Sequence, residues 1–406
     1  MTNKTINRWA VLIASAVVLL CTGAIYAFSV LAGPLSAEKG WSMEAIMTAF
    51  AINSAIGPIP MILGGFLTDK ELAKWSIVLG GVLFAVGFFL TGFATSTTML
   101  YLSYGVLAGL GQGFAYSGAL SNSIKLFPDK KGLASGIITA GMGGAAIIAA
   151  PIANAIIESS NVMNAFRYLG LAYVVIIILA GFFIKTAPKD YAPAGWSPAE
   201  QAGAPKMVNK NWTQMLATPA FYLIFFMLFT GAFAGLMIAS NASTIGQRMF
   251  GLTAATAAGY VSLYSLSNTL GRVLWGTISD KIGRNKTLYI IMIVVIAAFA
   301  LILGMNSQLG FAIGIIALGL TFGGVMGVFP PMVMENFGPI NQGVNYGITF
   351  VGYSVAAFFA PKVAVGMAGQ SGDFSKAFYV AIVIALVGIV LNFAYVQLKK
   401  LSLIHI

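Results

Sequence analysis

The chain has 406 residues, of which 59% are hydrophobic and only 8% charged, and its formal net charge is +11. Soluble domains carry about 25% charged residues, so an aqueous fold is excluded. Repeated apolar runs of about 20 residues, each able to cross a ~30 Å hydrocarbon core as a helix, make this an all-α, polytopic membrane protein.

Hydropathy predicts twelve transmembrane helices, beginning near Trp9, Met43, Ser76, Met99, Gly132, Asn164, Pro219, Thr253, Thr287, Gly310, Val344 and Phe374. The first, within "MTNKTINRWAVLIASAVVLLCTGAIYAFSVLAG", exceeds the apolar region of a secretion signal and is read as a retained span. Cys21, the single cysteine, falls inside it as a small apolar packing residue and excludes a disulfide framework. Between the sixth and seventh spans lies "KTAPKDYAPAGWSPAEQAGAPKMVNKNWTQ", rich in Pro, Ala and Gly, which reads as a linker. The expected organisation is a six-helix bundle over 1–186, a cytoplasmic linker over 187–212 and a second six-helix bundle over 213–406. Pro58, Pro60, Pro151 and Pro361 fall in spans, where they permit bends.

The basic residues divide unevenly across these spans. Sixteen, from Lys4 and Arg8 through Lys70, Lys74, Lys125, Lys131, Lys281 and Arg284 to Lys399 and Lys400, fall on one side. Lys39, Arg167, Arg248 and Lys376 fall on the other, with Arg272 and Lys362 inside spans. By the positive-inside rule both termini and the linker are cytoplasmic, in a cytoplasmic membrane. The positive charge is therefore topology and calls for no nucleic-acid partner. His405 is the only histidine and stands next to the last residue, so neither a histidine proton relay nor a metal site is expected in the core. No nucleophile–base pair and no GxxxxGK[ST] loop is present in the sequence, so no enzymatic activity, cofactor or ATP-driven pumping is expected. No obligate protein partner is evident.

The two halves repeat one another. "GGFLTDKELAK" follows the second span and "WGTISDKIGRNK" the eighth, with Asp69 and Asp280 offset by 211 residues. "LFPDKKGLASGI" opens the fifth span and "NFGPINQGVNYGI" the eleventh; Phe127 and Phe337 are offset by 210, as are Pro151 and Pro361. Such a duplication points to a transporter whose halves rock about a midplane site. The stretch Gly276 to Lys286, Gly-x-x-x-Asp-Lys-x-Gly-Arg-x-Lys, resembles the loop signature of the major facilitator superfamily; the copy from Gly65 to Lys74 has "KELAK" where Gly-Arg is usual. In such a loop an aspartate at a helix end pairs with basic residues and neighbouring helix termini, latching one conformation. The latch candidates are Asp69, Lys70, Asp280, Lys281 and Arg284. "LGRVLWGTISDKIGR", "FPDKKGLASG" and "FG…NYG" together resemble the oxalate–formate antiporter family of bacterial carboxylate carriers, from the first span to the twelfth. The resemblance implies the major facilitator fold, with two pseudo-symmetric six-helix halves.

One residue stands out in the apolar sequence. Arg272 precedes Asp280 by eight residues, which along a helix is about 12 Å, close to half of a ~30 Å core. A charge there costs at least about 2.5–3.5 kcal/mol, and something must offset it. None of the acidic residues falls mid-span; Glu158 and Glu335 come closest, near span ends. An anionic substrate held by the planar guanidinium fork supplies the counter-charge; the alternative is a packing arginine satisfied by carbonyls and water. Asn268, one turn earlier, either orients Arg272 or touches the substrate.

The remaining candidates follow from the resemblance. Family members line the cavity with aromatic residues from both halves, and the matching positions are Tyr26, Tyr116, Phe322, Phe350 and Tyr353. Gly109, Gly111 and Gly113 thin the helix that carries Tyr116. Oxalate exchangers of the family carry a second buried lysine shortly after "NYG", where this chain has Tyr353, while Lys362 lies towards the outer end of the span. One buried cation matches one carboxylate, so the expected cargo is a small monocarboxylate such as lactate, pyruvate, glycolate, acetate or formate. The expected function is secondary transport by alternating access, coupled either to proton symport or to anion exchange. An oxalate/formate-type dicarboxylate exchanger, a drug exporter and a non-transporting carboxylate sensor are the alternatives. A central arginine disfavours cationic drugs, and a sensor is expected to carry an appended soluble domain.

Overall fold

The computed structural model describes residues 6–188, 191–193, 209–369 and 371–404. Most of the linker expected at 187–212 lies outside these residues, as do Lys4, Lys189, Asp190, Glu200, Lys206 and His405. Every regular element among the described residues is helical. The described residues form twelve long rods: α1 (8–39), α2 (Met43–Asp69), α3 (Ala73–Thr91), α4 (97–126), α5 (Lys131–Ser159), α6 (Val162–Gly181), α7 (Pro219–Phe250), α8 (Ala254–Ile282), α9 (Arg284–Met305), α10 (Gln308–Phe337), α11 (Gln342–Ala368) and α12 (Ser375–Leu401). No predicted start lies more than three residues from the observed one. Ten of the rods are long and apolar enough to cross a membrane. The other two, α4 and α8, are as long but carry polar runs, among them Ser121–Asn122–Ser123 and Ser267–Asn268, which lower their hydropathy.

Local chemistry sets the ends. Asn7, Ser42, Ser96, Asn161 and Thr253 each accept a hydrogen bond from a backbone N–H of the first turn, capping α1, α2, α4, α6 and α8. Gly40 and Gly251 follow α1 and α7 at φ +66° and +64°, a conformation that glycine adopts without steric cost. A short capped helix, Trp212–Leu216, precedes α7. The expected proline bend appears in α2 as a turn at Gly57 ahead of Pro58, while Pro151 and Pro361 stay inside helical segments. Two irregularities had no sequence counterpart: a 3₁₀ turn at Gly23–Ala27 in α1 and a π-helical stretch at Tyr101–Ala108 in α4.

The chain divides into two compact units, and neither is contiguous. Unit 1 comprises residues 1–129, 137–209 and 338–348, and so includes the start of α11. Unit 2 comprises 130–136, 210–337 and 349–406, and so includes the start of α5. The contiguous halves expected from hydropathy differ from these units by those two short segments.

In unit 1, glycines let backbones touch. A Cβ on Gly80 would meet Ala115 N and the Gly111 carbonyl, and one on Gly87 would meet Ala108, so α3 lies directly against α4. Around this contact Phe84, Phe88, Tyr104, Phe166 and Tyr173 form one aromatic cluster. Cys21 is buried in α1. In unit 2 the closest packing is between α8 and α10, and it places the candidate site.

Candidate functional site

Tyr264, Asn268 and Arg272 recur every four residues along α8 and so share one face. All three are buried, with Arg272 only 7% exposed. Opposite them α10 carries Gly319, Gly323 and Gly327, also four apart. A Cβ on Gly319 would meet the Tyr264 carbonyl, one on Gly323 the Asn268 carbonyl and the Arg272 amide, and one on Gly327 the Arg272 carbonyl. This ladder brings α10 into backbone contact with the segment of α8 that carries the polar side chains. The Nε of Arg272 donates to Asn268 Oδ1 at 3.0 Å. With its oxygen thus engaged, Asn268 keeps a buried Nδ2 that has no hydrogen-bond partner among the described residues. The site therefore presents the Arg272 guanidinium beside a buried amide donor, Asn268 Nδ2, that calls for an acceptor.

Three aromatic positions expected from the sequence come together here. Phe322 stacks on Tyr353 with centroids 6.3 Å apart, and Tyr353 on Phe350 at 4.5 Å. Tyr264 continues the column, stacked 6.4 Å from Phe322, and its hydroxyl donates to the Gly235 carbonyl at 2.6 Å. Gly235 is required at that point, because a Cβ there would collide with the Phe322 ring. Tyr264→Phe is expected to destabilise unit 2 by about 0.5–1.5 kcal/mol, read as a lower melting temperature in detergent. An unchanged melting temperature would mean that the Tyr264–Gly235 bond contributes nothing to the fold. Lys362 lies apart from this column, with its Nζ 3.4 Å from the ring centroid of Phe358 one turn away in α11.

Tyr26 and Tyr116 belong to unit 1. Tyr26 lies in the 3₁₀ turn of α1 and is 45% exposed, whereas Tyr116 is buried in α4. The three glycines before Tyr116 do thin its helix: added Cβ atoms would meet Asn53 at Gly109, Phe84 N and the Gly80 carbonyl at Gly111, and Pro60 at Gly113.

The repeated charged loops have closely related geometries. In unit 1, Asp69 accepts from the backbone N–H groups of Gly343 and Val344, both at 3.0 Å, at the start of α11. In unit 2, Asp280 accepts from Gly132 and Leu133 N–H at 2.8 and 2.9 Å, at the start of α5. A carboxylate on the first N–H groups of a helix satisfies donors that have no partner within the helix and opposes its dipole. Gly65 against Gly343 and Gly276 against Gly132 permit the approach, since a Cβ on any of them would enter backbone. The cations differ between copies. Arg284 pairs with Asp280 at 2.8 Å and with Glu335 at 2.8 Å, and also bonds Ser279, while Lys131 lies 3.9 Å from Glu335. In unit 1 the position matching Arg284 is Ala73, and Asp69 is instead paired with Lys125 of α4 at 3.2 Å. Lys70 lies over the Phe66 ring, 5.6 Å from its centroid, and Lys281 is exposed.

Sequence reasoning missed Tyr264, Lys125 and Glu335 as members of these sites. Tyr264 was recoverable from its spacing of eight residues before Arg272. Lys125 and Glu335 occupy repeat-related positions, offset by 210 like Phe127 and Phe337, and carry opposite charges.

A duplicated six-helix chain with a guanidinium buried well inside one membrane-length helix has the architecture of a secondary transporter. The chain belongs to the Major Facilitator Superfamily, whose family model matches residues 12–361. It is 32% identical to an oxalate:formate antiporter of Oxalobacter formigenes over 375 residues, covering 90% of this chain and 86% of that protein. It is 24% identical to monocarboxylate transporter 12 of Rattus norvegicus over 355 residues, covering 80% and 73% respectively. Among solved structures, the crystal structure of the major facilitator transporter FucP in its outward conformation superposes with a TM-score of 0.71 at 15% identity, covering 94% of this chain and 97% of that one. The fold is thus that of an alternating-access carrier.

Proposed function

We propose that this transporter carries small monocarboxylates, of the lactate, pyruvate or formate type, across a cytoplasmic membrane, with both termini on the cytoplasmic side. The observation that carries this reading is the paired donor set on α8: the Arg272 guanidinium, fixed through Nε by Asn268 Oδ1, beside the buried Asn268 Nδ2. Donors at a membrane midplane suit a carboxylate, whose oxygens accept charge-assisted bonds. The adjacent column of Phe322, Tyr353 and Phe350 gives a short apolar substituent a surface to lie on. Tyr26 and Tyr116 are proposed as the substrate-contacting phenols of unit 1. Asp69 and Asp280, with Lys70, Lys281 and Arg284, are proposed as cytoplasmic latches on the helix starts that they cap.

The oxalate:formate antiporter relative supports a second reading, exchange of a dicarboxylate. Tyr353, at the position where oxalate exchangers of the family carry a lysine, favours the single-charge cargo. Tyr353→Lys is expected to shift preference towards oxalate, by roughly tenfold or more in competition if the added charge is worth 1.5–3 kcal/mol. Unaltered preference in the correctly expressed variant would refute the charge-count argument.

The deciding experiment is uptake of labelled lactate, pyruvate, formate and oxalate into proteoliposomes, with and without a pH gradient and with internal counter-substrate. Saturable monocarboxylate uptake that oxalate inhibits weakly is expected; stronger inhibition by oxalate than by lactate or pyruvate would reject the monocarboxylate reading. Uptake driven by an inward proton gradient marks symport, and uptake that requires internal anion marks exchange.

A further inference from the structure

Two buried glycines of α7, Gly231 and Gly235, lie one turn apart and face α10, but they meet it differently. A Cβ on Gly231 would sit 3.0 Å from Val325 Cγ2 and 3.3 Å from Met292 Cε, both ends of side chains that can yield. A Cβ on Gly235 would fall among Cβ, Cγ and Cδ2 of Phe322, at the root of the ring. Phe322 is thus seated in the space that any other residue at 235 would fill. The carbonyl of the same glycine accepts the Tyr264 hydroxyl at 2.6 Å. Gly235 therefore fixes two rings of the aromatic column at once.

The helices have little freedom to part around a side chain at 235. On another of its faces α10 is already in backbone contact with α8, through Gly319, Gly323 and Gly327. The Phe322 ring is the softer element, because it can turn about its own side-chain torsions. Tyr264 is held by its hydroxyl, so a ring driven from its seat moves into the space beside Tyr353, whose plane lies 9° from its own at a centroid distance of 6.3 Å. That space continues to Phe350, stacked on Tyr353.

We infer that Gly235 is a positioning residue that sets the size of the carried anion: by seating Phe322 against α7 it keeps open the space beside Tyr353 for the substrate's carbon skeleton. The inference rests on the monocarboxylate reading and adds a preference to it. A 2-oxo or 2-hydroxy acid of the pyruvate or lactate type uses that space. Formate, which has no carbon substituent, rests on the donors of α8 alone and is indifferent to residue 235.

The test is uptake of labelled pyruvate and labelled formate by the full chain in proteoliposomes, read as the ratio of their kcat/KM values. Gly235→Ala is expected to lower the pyruvate-to-formate ratio roughly tenfold, the discrimination that one methyl-sized change in an apolar pocket gives. Gly231→Ala, on the same helix and facing the same neighbour, is expected to keep the wild-type ratio. Phe322→Leu removes the ring with Gly235 intact and moves the limit the other way. It is expected to admit 2-oxobutyrate roughly tenfold better relative to pyruvate, and it decides the matter if Gly235→Ala fails to fold. A wild-type ratio in Gly235→Ala would overturn the inference, as would an unchanged 2-oxobutyrate preference in Phe322→Leu. An equal fall in Gly231→Ala would also overturn it, because helix packing and not the ring would then set the ratio. A wild-type chain that takes up neither acid would instead reject the monocarboxylate reading itself.

Discussion

Replacing Arg272 by alanine is expected to abolish measurable carboxylate uptake. Removing one partner of a buried, hydrogen-bonded charge contact costs about 2–5 kcal/mol, which corresponds to roughly thirty- to several-thousandfold in affinity. Arg272→Lys separates two contributions. The lysine keeps the charge near mid-helix but loses the planar fork and the bond from Nε to Asn268 Oδ1. It is expected to bind substrate detectably and more weakly than the wild type, with a lower melting temperature. Uptake by proteoliposomes, normalised to reconstituted protein, is the measurement; normal uptake by either variant would rule out Arg272 as the anion's partner.

The second large effect is structural in origin. Gly323→Ala is expected to destabilise the protein by about 1–3 kcal/mol and to depress uptake with it. The added methyl meets backbone, the Asn268 carbonyl and the Arg272 amide, and backbone cannot rotate aside as a side chain can. Separation of α10 from α8 would then move the two residues that present the donors. Gly366→Ala is the control with opposite sign: a Cβ there meets nothing within 4 Å. It is expected to stabilise α11 by about 0.5–1 kcal/mol through the lower entropy cost of alanine in a helix. Paired thermal melts decide the matter. If Gly323→Ala melts with the wild type, the proposed backbone contact is not what holds α8 to α10.

Much of this architecture was legible in the sequence because a bilayer imposes simple rules. Apolar runs of membrane length, interrupted by caps and left-handed glycines, placed every rod within three residues of its observed start. Arg272 was conspicuous because its burial is costly, and Asn268 because it stands one turn away. Other features depend on contacts between distant segments, which periodicity does not encode. The capping of α5 by Asp280 and of α11 by Asp69 joins residues 148 and 274 apart. What Gly319, Gly323 and Gly327 approach is likewise a property of α8 and not of their own spacing. The π-helical stretch at Tyr101–Ala108 is legible from neither composition nor spacing, because an α-helix would serve the same apolar pattern. Lys70 shows the same limit: adjacency to Asp69 made it the natural partner, but α4 brings Lys125 there instead.

The unequal neutralisation of Asp69 and Asp280 records how a duplicated gene stops being interchangeable with itself. In one copy the balancing cation is Arg284 at the start of α9, and Glu335 is free to be acidic because Arg284 and Lys131 stand near it. In the other the arginine position is Ala73, and Lys125 has taken over the role at the site that corresponds to Glu335. Transplanting either member alone across the repeat would be harmful: glutamate at 125 would bring a second carboxylate to Asp69 with no arginine at 73 to separate them. The two positions must exchange together or not at all. The ancestral symmetry therefore survives in the backbone, while the electrostatics have made each half dependent on its own history.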